Sequence, residues 1–162
     1  MGKLKLLMIL LVFIFLLISC DSGQSVDNRN IASTYLGNVN IAELQLGASI
    51  NDIDLTVFLP TERNNVRYTY LFEEIGLITD TDGKLIYIHG WVLEAGVDFS
   101  INGKTLNTIA QITEELGEHY NDYWFDREQS MRAVTYTDKE NNINLTLVYF
   151  EFNDALVWII LS

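Results

Sequence analysis

Imidazole and thiol groups are scarce in this 162-residue chain: His89, His119 and Cys20 are all it has. A nucleophilic relay or a zinc centre is built from such groups, and their placement here offers neither. His89 closes an apolar stretch beside Gly90 and Trp91, the position of a hydrogen-bonded strand-end residue. His119 lies just beyond a helical pattern, where a cation suits the negative end of the helix dipole. No Gly-x-Ser-x-Gly, His-Glu-x-x-His or glycine-rich phosphate loop occurs in the sequence. Asp80-Thr81-Asp82-Gly83 opens like a calcium loop, but the third oxygen ligand and the distal glutamate are missing at the needed spacing. Asp-Gly between two apolar runs is the chemistry of a tight hairpin instead. Glu73-Glu74 and Glu114-Glu115 are chain neighbours, so their side chains diverge onto solvated surface. The expectation is a protein without metal, cofactor or enzymatic reaction.

Aromatic side chains offer binding chemistry in place of catalysis. In residues 144–152 one strand face has Leu145, Leu147 and Tyr149, and the other Val148, Phe150 and Phe152. Residues 155–161 are apolar on both faces as well, with Leu156, Trp158 and Ile160 against Val157, Ile159 and Leu161. A sheet with one solvated face alternates apolar and polar residues. These strands do not, so both faces need cover, one from a helix and one from the rest of the molecule or a partner. Tyr87 and Trp158 are candidates for an aromatic binding row. Tyr123 and Trp124 belong to the stretch His119–Asp126, expected as a loop that serves as an interface anchor or folds back as a lid. Trp91, Tyr123 and Trp124 could alternatively stack on sugar rings.

The N-terminus bears on location. Lys3 and Lys5 precede thirteen residues, Leu6 to Ile18, without a polar side chain. That run is shorter than the roughly 20 residues of a membrane span and has the length of a signal-peptide core. Leu17-Ile18-Ser19-Cys20 then resembles a bacterial lipobox. The resemblance implies cleavage after Ser19, acylation of Cys20 and anchorage to the outside of a membrane. Acylation would also account for a lone thiol in an extracytoplasmic chain, where it has no disulfide partner. Asp21 resembles the inner-membrane retention signal of two-membrane bacteria; the sequence leaves the envelope type open.

Removing residues 1–19 removes Lys3 and Lys5, leaving 8 basic against 22 acidic side chains, a net charge of −14. Such a chain repels nucleic acid and anionic lipid headgroups, so the expected partners are the membrane through the lipid and a protein. Ser, Asn, Asp, Gly and Gln dominate residues 21–40, which read as a flexible tether. The expected organisation is a signal peptide at 1–19, a lipidated tether at 20–40 and one domain at 41–162.

Within the domain a duplication is visible. Residues 46–53 (LGASINDI) match 102–109 (NGKTLNTI), and 77–88 (LITDTDGKLIYI) match 148–159 (VYFEFNDALVWI). In the second copy Leu106, Ile109, Ile112 and Leu116 recur at helical spacing, and Gly117 can stop the helix. Ser49 and Thr105 stand where helix caps belong. Strands are expected at 66–72, around the Asp-Gly turn, and at 131–138, 143–152 and 155–161. The predicted fold class is α+β, two tandem helix-plus-three-strand antiparallel units, with half-repeats at about 44–95 and 96–162.

That order resembles the small SmpA/OmlA (BamE-like) lipoproteins and the β-lactamase inhibitor protein, which pairs two such units. GKTLNTIAQITEELG (103–117) looks like the family helix, Tyr136 and Tyr70 like its strand aromatics, and 147–161 like its closing hairpin. The chain departs from the pattern after Leu116-Gly117, where many members have proline. The departure carries no partner over from the family. The aromatic faces and loop make the expectation a non-enzymatic protein-binding module, which an envelope-scaffold or an inhibitor and immunity role would both fit; the alternative is a solute- or glycan-binding lipoprotein.

Overall fold

The computed structural model describes residues 32–63 and 65–162. The stretch expected as a signal peptide, with Cys20 and Asp21, lies outside them. The strands are β1 (Val39–Ile41), β2 (Tyr70–Leu71), β3 (Ile75–Thr79), β4 (Leu85–Trp91), β5 (Phe99–Ile101), β6 (Lys104–Thr105), β7 (Asn121–Asp126), β8 (Met131–Asp138), β9 (Ile143–Phe150) and β10 (Leu156–Leu161). The helices are α1 (Val92–Ala95) and α2 (Ile109–Leu116). Seven strands form one antiparallel sheet in the order β2-β3-β4-β10-β9-β8-β7, and β1-β5-β6 form a second sheet of three.

The expected pair of helix-plus-three-strand units is therefore wrong: the described residues are mostly antiparallel sheet with one substantial helix. In the first half, Ser49 caps a single turn at Ile50–Asp52, and Asp54 caps a second at Leu55–Val57. Each side chain accepts from the N–H two residues on, so every polar cap restarts the chain before a helix can propagate. The second-half helix does form, capped by Thr108 rather than Thr105, which lies in β6. It ends at Gly117, whose φ of 83° suits glycine and whose N–H reaches Thr113 O.

The inner face of the large sheet supplies the main core. Ile75, Leu77, Ile88, Val134, Tyr136, Leu145, Leu147, Ile159 and Leu161 meet Ile41, Phe99 and Ile101 of the small sheet and Ile109 and Ile112 of α2. Gly90 permits the contact between sheets: a Cβ there would stand 2.8 Å from the Ile41 side chain. A β-bulge between Leu156 and Trp158 turns Leu156 inward with Ile159 and Leu161, and leaves Trp158 and Ile160 outward. The expected grouping of Leu156 with Trp158 fails at that bulge.

Thr34 and Leu36, within the stretch read as tether, are buried. Thr34 N–H bonds Thr137 O, and Leu36 N–H bonds the Asp138 carboxylate at 3.0 Å. Asp138 also accepts from Glu140 N–H, Asn141 N–H and the Asn141 amide. Burial raises its carboxyl, but these hydrogen bonds outweigh that and hold it below the ordinary value. No helix among the described residues is long and apolar enough to cross a membrane.

Candidate functional site

Outer-face side chains of the large sheet follow from its register. Along β4 the residues Tyr87, His89 and Trp91 alternate with inward Ile88 and Gly90. Trp158 pairs with Trp91, and Ile160 with His89, on the neighbouring β10. Ala133 and Val148 continue the row toward β7, where Tyr123 pairs with Ala133. Met131, Ala133, Val148 and Val157 make a small apolar cluster of their own, with Phe150 and Trp158 packed on it. Threonine hydroxyls occupy the next row, where Thr135 and Thr146 bond each other at 2.9 Å.

Tyr68 lays its ring on Gly76, where a Cβ would come within 2.6 Å of it. Gly76 pairs with His89, so the phenol reaches that residue directly, and Tyr68 Oη lies 2.7 Å from His89 Nδ1. Phenol is the stronger acid of the two, so it donates, and the imidazole proton sits on Nε2. Trp91 stacks on His89 with centroids 4.5 Å apart, while Trp158 meets the same ring edge-on at 6.2 Å. Phe125 closes the row against Trp158 at 5.2 Å.

Two arginines lie over these rings. Arg63 sits 5.3 Å from the Trp91 ring centre and pairs with Glu94 at 3.0 Å and Glu73 at 3.5 Å. Arg67 sits 4.8 Å above Tyr87 and 5.9 Å above Tyr68. Burial, with Arg67 adding to it, pushes His89 down to about 4, so the ring is neutral at ordinary pH. Burial raises Tyr68 and Tyr87, against the pull of Arg67. Tyr87 Oη, His89 Nε2 and Trp158 Nε1 are buried without a partner in hydrogen-bonding geometry. The hydroxyl of Tyr68 is near enough to that of Tyr87 to perturb its acidity.

The four sequence candidates fall into two groups. Tyr87, 8% exposed, and Trp158 share the outer face. Tyr123, 40% exposed, and Trp124, 37% exposed, lie on β7, the edge strand of the same sheet, where a loop was expected. Tyr123 points to the outer face, whereas Trp124 pairs with inner-facing Arg132, which stacks on it at 5.0 Å. Arg132 is held by Asp122 and Glu151. Sequence reasoning passed over Tyr68, Gly76 and Arg67. The i, i+2, i+4 spacing of Tyr87, His89 and Trp91 was a signal for that face; the approach of Tyr68 had none.

The hydroxyl that meets an imidazole is the Tyr68 phenol on His89, and burial weakens that phenol's acidity further. Among the described residues no three His, Cys, Asp or Glu side chains gather as a metal site; Asp80 spends its carboxylate on the N–H groups of Asp82 and Lys84 in the hairpin turn. What the arrangement can do is bind: flat aromatic area, buried donors and a guanidinium on one sheet face beside an open edge strand. Comparison with family models, curated proteins and solved structures finds no match to this chain.

Proposed function

We propose that the protein is a lipid-anchored, extracytoplasmic, non-enzymatic module that binds another protein through the outer face and β7 edge of its large sheet. The observation behind this reading is the continuity of one aromatic surface. It runs from Tyr87 and Trp158 to Phe125, 46% exposed, and Tyr123 on an edge strand whose outer backbone groups pair with no described strand. Edge strands with exposed aromatics invite an added strand and supply anchor residues together. The sugar-binding alternative needs open ring faces. Trp91 is 9% exposed and already stacked by His89, which favours a protein partner. Anchorage rests on Cys20 alone, and tethering would raise the effective concentration of the module for partners in the same envelope.

A photoreactive phenylalanine analogue at position 123 of the intact chain tests the surface. It should give one stoichiometric protein adduct in whole cells, and the same analogue at Lys104, on the small sheet, should give none. Tyr123→Ala with Trp124→Ala should weaken that partner's binding at least tenfold while the fold persists. Equal labelling from both positions would refute the assignment. Intact-mass measurement of the purified chain should show Cys20 acylated and N-terminal.

A further inference from the structure

Arginine in so acidic a chain has carboxylates to choose from, with 22 acidic against 10 basic side chains. Arg63 and Arg132 each engage two and Lys104 one, the shortest contacts being 3.0, 2.6 and 2.7 Å. Arg67 engages none among the described residues and rests on the rings of Tyr87 and Tyr68 instead. The same outer face holds polar atoms that a folded protein does not normally leave unsatisfied: Tyr87 Oη, on a side chain more than nine-tenths buried and beneath Arg67, with His89 Nε2 and Trp158 Nε1. With Tyr68 donating to His89 Nδ1, all three can act as donors, like the guanidinium. Donors without an acceptor, beside a cation without an anion, describe half of a charge-assisted contact.

Resting on the protein-binding role proposed above, we infer that this site receives the carboxylate of an acidic side chain on the partner polypeptide. Trp158 Nε1–H, His89 Nε2–H and Tyr87 Oη–H bind the carboxylate oxygens, and Arg67 closes over them from the solvent side. Glu73 and Glu94 are held by Arg63, whose guanidinium lies over Trp91, and leave the site to an incoming carboxylate. Tyr68 is the movable cover. Its segment is largely exposed and its ring rests on a glycine, held by one hydrogen bond to His89 and by ring contacts with Tyr87 and Trp91, while Thr69 N–H ties the chain to Leu77 O. Swinging its ring about the His89 hydrogen bond, which keeps the proton on Nε2, uncovers the donors. A side chain fits better than a free small acid, because Trp158, Phe125 and Tyr123 offer the residues flanking it an apolar seat running across the strands toward β7.

The test uses the full chain in non-ionic detergent micelles with ¹⁵N-labelled indoles, assigned through Trp158→Phe. Two probes are titrated, acetyl-Ala-Val-Glu-Val-Ala-amide and its Gln twin, which differ by one charge. The Glu peptide is expected to bind at least tenfold tighter than the twin. It should move the Trp158 indole resonance and leave that of Trp124 in place. Arg67→Gln, at an exposed position, should abolish the preference, and Lys84→Gln should not. Equal affinity for the twins, binding of neither at millimolar concentration, or a preference that survives Arg67→Gln would overturn the inference. So would sodium acetate matching the Glu peptide in affinity, since the site would then take a free acid. Adduct formation from position 123 does not depend on Arg67, so its persistence in Arg67→Gln separates failure of this site from failure of the protein-binding role.

Discussion

His89 should make the fold sensitive to mild acid. In the folded state its ring is buried between Trp91, Tyr68 and Trp158 under Arg67, and takes a proton only near pH 4; free in the unfolded chain it does so near 6.5. The unfolded state therefore binds the extra proton across that window, and stability falls as pH falls from 6.5 through 4. Between pH 7 and 4.5 the loss assigned to this one group is about 2.5 kcal/mol, from 1.36 kcal/mol per pKa unit and incomplete titration at the lower pH. Asp138 works in a different range. Its folded-state carboxyl lies below the ordinary value of 3.8, so its contribution is intact above that pH and is lost only below it. The perturbation is His89→Gln, which keeps an acceptor for the Tyr68 hydroxyl and cannot titrate. Urea denaturation of the full chain, followed by tryptophan fluorescence at pH 7 and 4.5, gives the loss for each protein. The variant should lose about 2.5 kcal/mol less than the parent over that interval. Parallel profiles for the two proteins would refute the argument, because they would mean the ring is already solvated in the fold.

Two further substitutions probe the supports of the site. Gly76→Ala places a methyl group within 2.6 Å of the Tyr68 ring, so the ring must leave the sheet; the expected cost is about 1–3 kcal/mol. The His89–Tyr68 hydrogen bond should go with it, read by the return of His89 toward its ordinary pKa in an NMR titration. Asp138→Ala removes the acceptor of four hydrogen bonds and strands the buried Leu36 N–H. A loss of about 2–3 kcal/mol is expected, together with faster proteolysis around residue 35 in limited digestion; unchanged digestion would show that the arm is held by Leu36 packing alone.

The legible parts of the fold are those where local chemistry and long-range packing agree. Asp80 to Gly83 makes a turn from its own side chain, and the strands beside it alternate, so β3 and β4 could be placed before any pairing was known. Ile109, Ile112 and Leu116 share one helical face, and α2 follows. The small sheet offered no such agreement. Val39–Ile41 and Phe99–Ile101 are three residues each, and only their pairing across 62 positions of sequence, Val39 with Ile101, makes either a strand. Edge strand β7 hid for another reason: Asn121 and Asp122 look like a turn, yet Tyr123, Trp124 and Phe125 are strong strand formers once β8 is beside them.

Legibility of the site divides along the same line, and the division explains why the aromatic row was seen and its polar centre was not. Tyr87 and Trp158 stand out by type. Their shared face, however, depends on the bulge after Leu156: without it the pattern assigns Trp158 to the side of Leu156, which is core. A one-residue irregularity exchanges the faces of everything beyond it. Tyr68 reaches His89 only because Gly76, a residue with no side chain to notice, is its cross-strand neighbour. Sequence patterns report what side chains prefer, whereas this site is set by where a side chain is missing and where a ladder slips. The slip puts Trp158 on the face of Tyr87 and His89, and the missing side chain lets Tyr68 reach them. A search for similar sites should therefore look for a glycine opposite a strand histidine, with an arginine–tyrosine segment crossing above, rather than for the aromatic residues themselves.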